Sequence, residues 1–313
     1  MRFPDVVVAG GLVVVLAGCG VAEGTQRVDG GPGASVAGSR NTGGSSSLGA
    51  GGNGSGAAVQ APAPDVEIPA EAGALAAALK QTTAALYAGI DAWTAGSAAA
   101  APQDVVLYAL HQQRIYRAMA RDPKLARETI GRLPKPLAAE ARDDVKAVSG
   151  LLSLARPISA AQRKRMRLAE AEPAKRLRGY FLAGEKRFGV EWEVLAAIML
   201  VETKFGRVRS ASSSGAQGPM QFMPGTWKQY GMGGNVHRAK DAVLGAANYL
   251  KASGAPGNYR RAIWAYNHDT HYVDAVLAHA RQIKRDPRSF YAYYNWQVFV
   301  LSKTGEIRLT GPR

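Results

Sequence analysis

Residues 191–206 read EWEVLAAIMLVETKFG, in which the apolar run Val194–Val201 is followed directly by an acidic side chain, Glu202. Leu195, Ile198 and Met199 precede Glu202 by seven, four and three residues, so all four side chains project from one face of a helix. The pattern predicts a buried helix over Glu191–Phe205 that ends at the following glycine. A carboxyl group therefore lies on the apolar face of a core helix.

The same spacing predicts the state of the Glu202 carboxyl. Burial disfavours its charged form, and the negative end of the helix dipole in the last turn acts in the same direction. Both effects raise the pKa, so the group is expected to stay protonated near neutral pH. A protonated carboxyl facing an apolar cleft is what acid catalysis at a glycosidic bond requires. The structural alternative is an ion pair with Arg207 or Arg209.

Helical periodicity extends over most of the remaining sequence after Ile68. It predicts helices over Leu75–Trp93, Asp104–Arg121, Pro134–Leu152 and Ala239–Ala252, and two more that Asn258 and Asp269 begin as N-caps. The C-terminus differs, because residues 296–300 and 307–309 alternate apolar and polar positions around Lys303-Thr304-Gly305. That alternation predicts a terminal β-hairpin.

The N-terminus has the features of an export signal. Arg2 precedes an apolar run over residues 6–17 that is too short to span a bilayer. The run ends in Leu16-Ala17-Gly18-Cys19, which resembles the bacterial lipoprotein signal, whose cysteine is acylated and becomes the mature N-terminus. Residues 1–19 are thus predicted to be a lipoprotein signal peptide, and the protein to be extracytoplasmic and lipid-anchored at the cell membrane. A plain secretory signal or a buried strand is the alternative.

The charge and cysteine content of the chain limit the classes of binding partner and site. The chain has 39 Lys and Arg against 24 Asp and Glu, a net charge of +15, which attracts polyanions such as nucleic acid, acidic lipid or an anionic cell wall. Export favours the wall and excludes nucleic acid as a regular partner. Cys19 is the only cysteine, which excludes an internal disulfide and a Cys-based zinc site. Residues 20–66, rich in Gly, Ser, Ala and Pro, are predicted to be a disordered tether.

Three sequence blocks stand in order in the second half of the chain: ETKFG at 202–206, SSSGAQGPMQFMPGTW at 212–227 and AYN at 265–267. Together they resemble the lytic transglycosylases, peptidoglycan-cleaving enzymes with a goose-type lysozyme-like catalytic domain. The resemblance implies a mainly α fold. Its predicted parts are a helical accessory region over 67–157, a lysozyme-like transglycosylase domain over 158–287, and a C-terminal β-hairpin tail over 288–313.

The resemblance also implies roles for individual residues. Glu202 becomes the catalytic acid and base, and the tyrosine of the third block is expected to lie against its carboxyl group. The implied substrate-binding residues are Ser212, Gln221, Met223, Thr226, Tyr266 and Asn267. Two residues depart from the family pattern: Thr203 stands where many members have Ser, and Pro219 replaces the usual Leu. The Glu202–Ser212 segment is also one residue longer than the commonest spacing.

The implied reaction cleaves the bond between N-acetylmuramic acid (MurNAc) and N-acetylglucosamine (GlcNAc) in peptidoglycan glycan strands and forms 1,6-anhydro-MurNAc ends. One Glu serves as acid and base, and no metal or cofactor is required. The alternatives are a lysozyme-type muramidase that uses water and a non-catalytic wall-binding lipoprotein. A metal hydrolase built on His268 and His271 is disfavoured, because such a pair is common by chance and no third ligand is evident.

Overall fold

Helices and one hairpin build the part of the chain that the computed structural model describes, residues 60–312. The predicted signal peptide, Cys19 and nearly all of the predicted tether lie outside these residues. The helices are α1 (Ala72–Ala95), α2 (Gln103–Arg121), α3 (Pro123–Ile130), α4 (Lys135–Leu154), α5 (Ala160–Arg165), α6 (Ala174–Phe188), α7 (Trp192–Thr203), α8 (Pro224–Tyr230), α9 (Ala239–Ala252), α10 (Tyr259–Tyr266), α11 (Thr270–Arg285) and α12 (Arg288–Tyr294). The strands are β1 (Val298–Ser302) and β2 (Gly305–Leu309). The predicted fold class is confirmed.

Side-chain caps explain where several helices begin. Asn258 Oδ1 accepts from the Arg261 backbone N–H at 2.9 Å and starts α10. Asp269 Oδ1 accepts from the His271 and Tyr272 backbone N–H groups at 2.7 and 3.3 Å and starts α11. These bonds satisfy donors that the first turn of a helix leaves without intrahelical partners. Both predicted N-caps are confirmed.

The helix that carries Glu202, α7, lies in the centre of the core. Every side chain from Val194 to Thr203 is buried, and α7 packs against α6, α9, α11 and α12. The helix ends at Thr203, two residues earlier than predicted. Lys204 and Phe205 adopt left-handed φ angles of 52° and 60°, and their N–H groups return to the carbonyls of Leu200 and Met199. This capping arrangement turns the chain sharply away from the end of the helix.

The predicted accessory region and the predicted catalytic domain share a core. Within the described residues, α4 packs along α11, and α2 packs on both α1 and α4. Residues from Ala61 onward form one unit by their contacts. The domain boundary predicted between residues 157 and 158 stays a prediction, and the two segments pack against each other.

The C-terminal tail contains α12 in addition to the predicted hairpin. Strands β1 and β2 pair antiparallel, with Val298 opposite Leu309 and Ser302 opposite Gly305. One face of the hairpin packs on Ile158, Met166, Leu168 and Val208. The predicted hairpin is therefore confirmed. It packs on residues that precede α7 in the sequence and on one that follows it.

No helix among residues 60–312 combines the length and the apolar character needed to cross a bilayer.

Candidate active site

The carboxyl group of Glu202 lies in the last turn of α7 and is almost fully buried, with 1% of the residue exposed. Its Oε1 accepts a hydrogen bond of 2.6 Å from the Tyr272 hydroxyl. Its Oε2 has no hydrogen-bond partner among the described residues. One oxygen is therefore held in position, and the other, which is also buried, can carry the proton of the acid.

The surroundings favour the protonated form of this carboxyl. Burial raises the pKa of Glu202 to about 8, against the opposing effects of the Tyr272 hydrogen bond and the Lys204 ammonium group. The direction agrees with the prediction, and desolvation is its largest cause. At neutral pH the group keeps its proton and can act as an acid.

The structural alternative for Glu202, an ion pair with an arginine, is wrong. The Arg207 guanidinium donates to the Lys204 carbonyl at 3.1 Å and lies 4.8 Å above the Tyr294 ring. Arg209 donates to the Glu170 carbonyl at 3.4 Å. The left-handed residues Lys204 and Phe205 turn the chain between Glu202 and these two arginines.

The hydroxyl that hydrogen-bonds the Glu202 carboxyl belongs to Tyr272 and not to Tyr266, the tyrosine expected to lie against this carboxyl. The Tyr266 hydroxyl donates instead to the Met220 carbonyl at 2.6 Å. Tyr266 still lies within electrostatic range, since the charge of Glu202 contributes to raising the pKa of Tyr266. Tyr272 lies in the first turn of α11, opposite the end of α7. Because 70 residues separate Tyr272 from Glu202, helix spacing along the chain could not reveal the contact.

The loop from Ser212 to Met223 is tied together by its own backbone. The Ser212 backbone N–H donates to the Ala216 carbonyl at 2.9 Å, and the Ser212 hydroxyl accepts from the Ala216 N–H at 2.9 Å. Gln217 and Phe222 form an isolated antiparallel bridge. Gln221, at a left-handed φ of 49°, directs its side-chain amide to the Gly218 carbonyl at 2.9 Å. These hydrogen bonds of Ser212 and Gln221 thus shape the loop and do not reach Glu202.

Gly218 permits the loop to lie directly on the chain around Val236. Its φ is +74°, and a Cβ atom built at this position would stand 1.9 Å from the Val236 carbonyl oxygen. No other residue fits such an approach without displacing backbone. The glycine therefore fixes the loop against the segment that leads into α9.

The two residues that depart from the family pattern, Thr203 and Pro219, contact each other. The Thr203 hydroxyl donates to the Pro219 carbonyl at 2.6 Å and accepts from the Gly206 N–H at 2.8 Å. Pro219 supplies only an acceptor here, so its missing N–H costs no hydrogen bond at this contact. The residue next to Glu202 thereby joins α7 to the loop.

The other matched residues occupy positions near helix ends. Met223 is the N-cap residue of α8 and Thr226 lies in its first turn, both partly exposed. Asn267 follows α10 as its C-cap and is 6% exposed. The Phe222 ring packs against those of Tyr266 and Trp227, at 5.8 and 5.1 Å between centroids. These aromatic contacts bring the second and third sequence blocks together.

The histidines considered for a metal site have other surroundings. The Asp269 carboxylate between them caps α11, and the His268 ring packs against Trp264 at 5.6 Å. Among residues 60–312, no three His, Cys, Asp or Glu side chains are arranged to hold a metal ion.

The segment that carries this site matches a known protein family. Residues 179–287 match the family described as the Transglycosylase SLT domain, and the match includes Glu202, the 212–223 loop and Tyr272. It covers about a third of the chain. No curated protein and no solved structure matches the chain. The match supports the predicted relation to lytic transglycosylases and to a peptidoglycan substrate.

Proposed function

We propose that this protein is a peptidoglycan lytic transglycosylase that cleaves the MurNAc–GlcNAc bond and leaves 1,6-anhydro-MurNAc ends. The observation that carries the proposal is the buried carboxyl of Glu202, inside the matched segment. Its pKa is raised to about 8, one oxygen is held by Tyr272, and the other is without a partner among residues 60–312. A positioned, protonated acid is what departure of a sugar oxygen needs.

In the first step Glu202 donates its proton to the glycosidic oxygen, and the bond from that oxygen to C1 of MurNAc breaks. The acetamido group of the same sugar helps to carry the positive charge that develops at C1. The Tyr272 hydroxyl then stabilises the carboxylate that remains, because a hydrogen bond to a charged acceptor is stronger than one to a neutral acceptor.

In the second step the Glu202 carboxylate removes the proton of the C6 hydroxyl as that oxygen bonds to C1. The product is the 1,6-anhydro ring, and the acid is regenerated without consuming water. Ordinary glycosidases use two carboxylates for acid and base. Among the described residues, the charged group that acts on the pKa of Glu202 is Lys204, a cation. This environment favours one carboxyl group serving in both steps.

Mass analysis of the fragments released from purified peptidoglycan tests the reaction. We expect fragments with anhydro ends, each lighter by one water than its hydrolysed counterpart. Reducing MurNAc ends would assign the protein to the lysozyme-type muramidases instead. Binding to insoluble peptidoglycan without release of any fragment would support a wall-binding lipoprotein.

We propose further that acylated Cys19 anchors the enzyme at the membrane, facing the wall. Two or more acyl chains give stable anchoring, since each buried CH₂ group contributes about 0.8 kcal/mol. A coil over residues 20–66 has an average reach of about 35–40 Å, which lets the enzyme work away from the membrane surface.

Cys19→Ala is expected to release the protein from membranes without loss of activity on soluble glycan fragments. Detergent phase partitioning of wild type and variant measures the anchor, and a Ser47→Ala protein from the tether serves as the control. Complete retention of Cys19→Ala in the detergent phase would show that another segment holds the protein.

A further inference from the structure

A basic feature outside the contacts of Glu202 lies beside the 212–223 loop, which contributes Gly218 and Pro219 to its lining. It is an open pocket of about 290 Å³. Its lining residues, which define the basic pocket, are Arg167, Val208, Arg209, Gly218, Pro219 and His237. Three of the six carry cationic or protonatable side chains, and none of the described lining residues is acidic.

Backbone pairing places the two arginines side by side. Leu168 and Val208 form an isolated antiparallel bridge, and the Arg209 N–H donates to the Arg167 carbonyl at 2.9 Å. The Arg167 N–H is held by the Ser210 hydroxyl at 2.8 Å. Leu168 and Val208 point into the core, so alternation along an extended chain sends both arginine side chains to the opposite, exposed face.

This arrangement places two like charges on one exposed face. Like charges directly opposite each other on paired strands repel, and the lining of the basic pocket provides no carboxylate to offset them. The Arg209 guanidinium donates to a backbone carbonyl, that of Glu170, at 3.4 Å. An anionic ligand placed between the two guanidinium groups would remove the repulsion and accept charge-assisted hydrogen bonds.

The basic pocket is coupled to the catalytic helix by direct contacts. Pro219 forms part of its lining, and the Pro219 carbonyl accepts the hydrogen bond from Thr203, the neighbour of Glu202. Gly218 presses on the Val236 carbonyl, which fixes His237 relative to the loop. A group bound in the basic pocket is therefore held at a set position relative to the catalytic carboxyl.

We infer that the basic pocket binds a carboxylate of the peptide attached to MurNAc while Glu202 acts on the adjoining glycosidic bond. The inference rests on the proposed function. The sugars near the bond carry no charge when the lactyl group is joined to a peptide, so the nearest anions on a strand are the carboxylates of that peptide. A pocket of this volume accommodates part of a peptide and not a whole sugar chain.

The test compares peptidoglycan fragments of equal length with free peptide carboxylates and with the same carboxylates converted to amides. For wild type we expect KM to rise about 10-fold on amidation, with kcat nearly unchanged, because a charge-assisted contact is lost. Arg167→Gln with Arg209→Gln should show the higher KM on both substrates. Lys80→Gln with Lys135→Gln removes the same charge from exposed sites on α1 and α4, and should behave as wild type.

Further measurements separate the outcomes. The double arginine variant should melt no lower than wild type, since the repulsion between the two guanidinium groups is relieved. The single Arg209→Gln protein repeats the KM comparison with less change to local packing. Equal KM values of wild type on both substrates, with anhydro products still formed, would overturn the inference and leave the proposed function intact. If the double arginine variant lost binding to anionic lipid vesicles but kept wild-type kinetics on both substrates, the basic pocket would bind a lipid surface, and the inference would also be overturned. Absence of anhydro products from wild type would instead refute the proposed function.

Discussion

Glu202→Gln is expected to lower kcat by about 100-fold or more, because the amide keeps the shape of the side chain but cannot deliver a proton. Release of anhydro fragments from purified peptidoglycan measures the loss. The variant should still bind insoluble peptidoglycan. Cleavage at the wild-type rate by this variant would remove Glu202 from the mechanism.

The same substitution predicts a pH-dependent change in stability. The folded state holds the Glu202 proton up to a pKa of about 8, against an ordinary value of 4.5. Between these pH values the folded wild type binds more protons than the unfolded chain, so this group makes the free energy of unfolding fall as pH rises. The Gln variant lacks this contribution. Its stability relative to wild type should therefore increase from pH 5 to pH 8, as measured by urea unfolding.

The pH profile of activity tests whether the Tyr272 hydrogen bond controls the pKa of Glu202. Activity of wild type should fall as pH rises through about 8, where Glu202 loses its proton. Tyr272→Phe removes a hydrogen bond that lowers the pKa of Glu202, so the alkaline limb should move to higher pH. Tyr266→Phe is the matched control, because its hydroxyl bonds the Met220 carbonyl and should leave the limb in place.

Deletion of residues 288–313 is expected to destabilise the whole described unit, not only to remove a peripheral hairpin. Phe290, Tyr293 and Trp296 are 0, 2 and 3% exposed. The Phe290 ring lies 5.6–6.2 Å from those of Phe205, Trp192 and Phe181. Loss of these rings exposes the core around α7, so the melting temperature should fall by more than about 10 °C, since one buried aromatic is worth several kcal/mol.

A point substitution distinguishes the loss of a buried ring from the effect of shortening the chain. Phe290→Ala should lower the free energy of unfolding by about 3–5 kcal/mol. Leu182→Ala, at a side chain that is 38% exposed on α6, should change it by less than about 1 kcal/mol. A truncated protein as stable as wild type but unable to bind insoluble peptidoglycan would show that the tail aromatics bind sugar instead.

Much of the fold could be predicted from local patterns. Caps at Asn258 and Asp269, the helix over Ala239–Ala252 and the C-terminal hairpin were recognisable because each depends on residues within one or two turns of each other. The α12 helix was not predicted. Its run of aromatic residues has no marked periodicity. The helix packs against α1, α2, α7 and α11, and tertiary packing is the main source of stability for helices this short.

The sequence by itself determined the central helix, the position of Glu202 on its apolar face and the direction of its pKa shift, because these follow from side-chain spacing and desolvation. Tertiary structure alone decided which groups meet the carboxyl and which do not. Tyr272 reaches Glu202 across 70 residues, and Arg167 meets Arg209 through a bridge between distant segments. Such contacts depend on how helices and loops pack in three dimensions, which no pattern of neighbouring residues records.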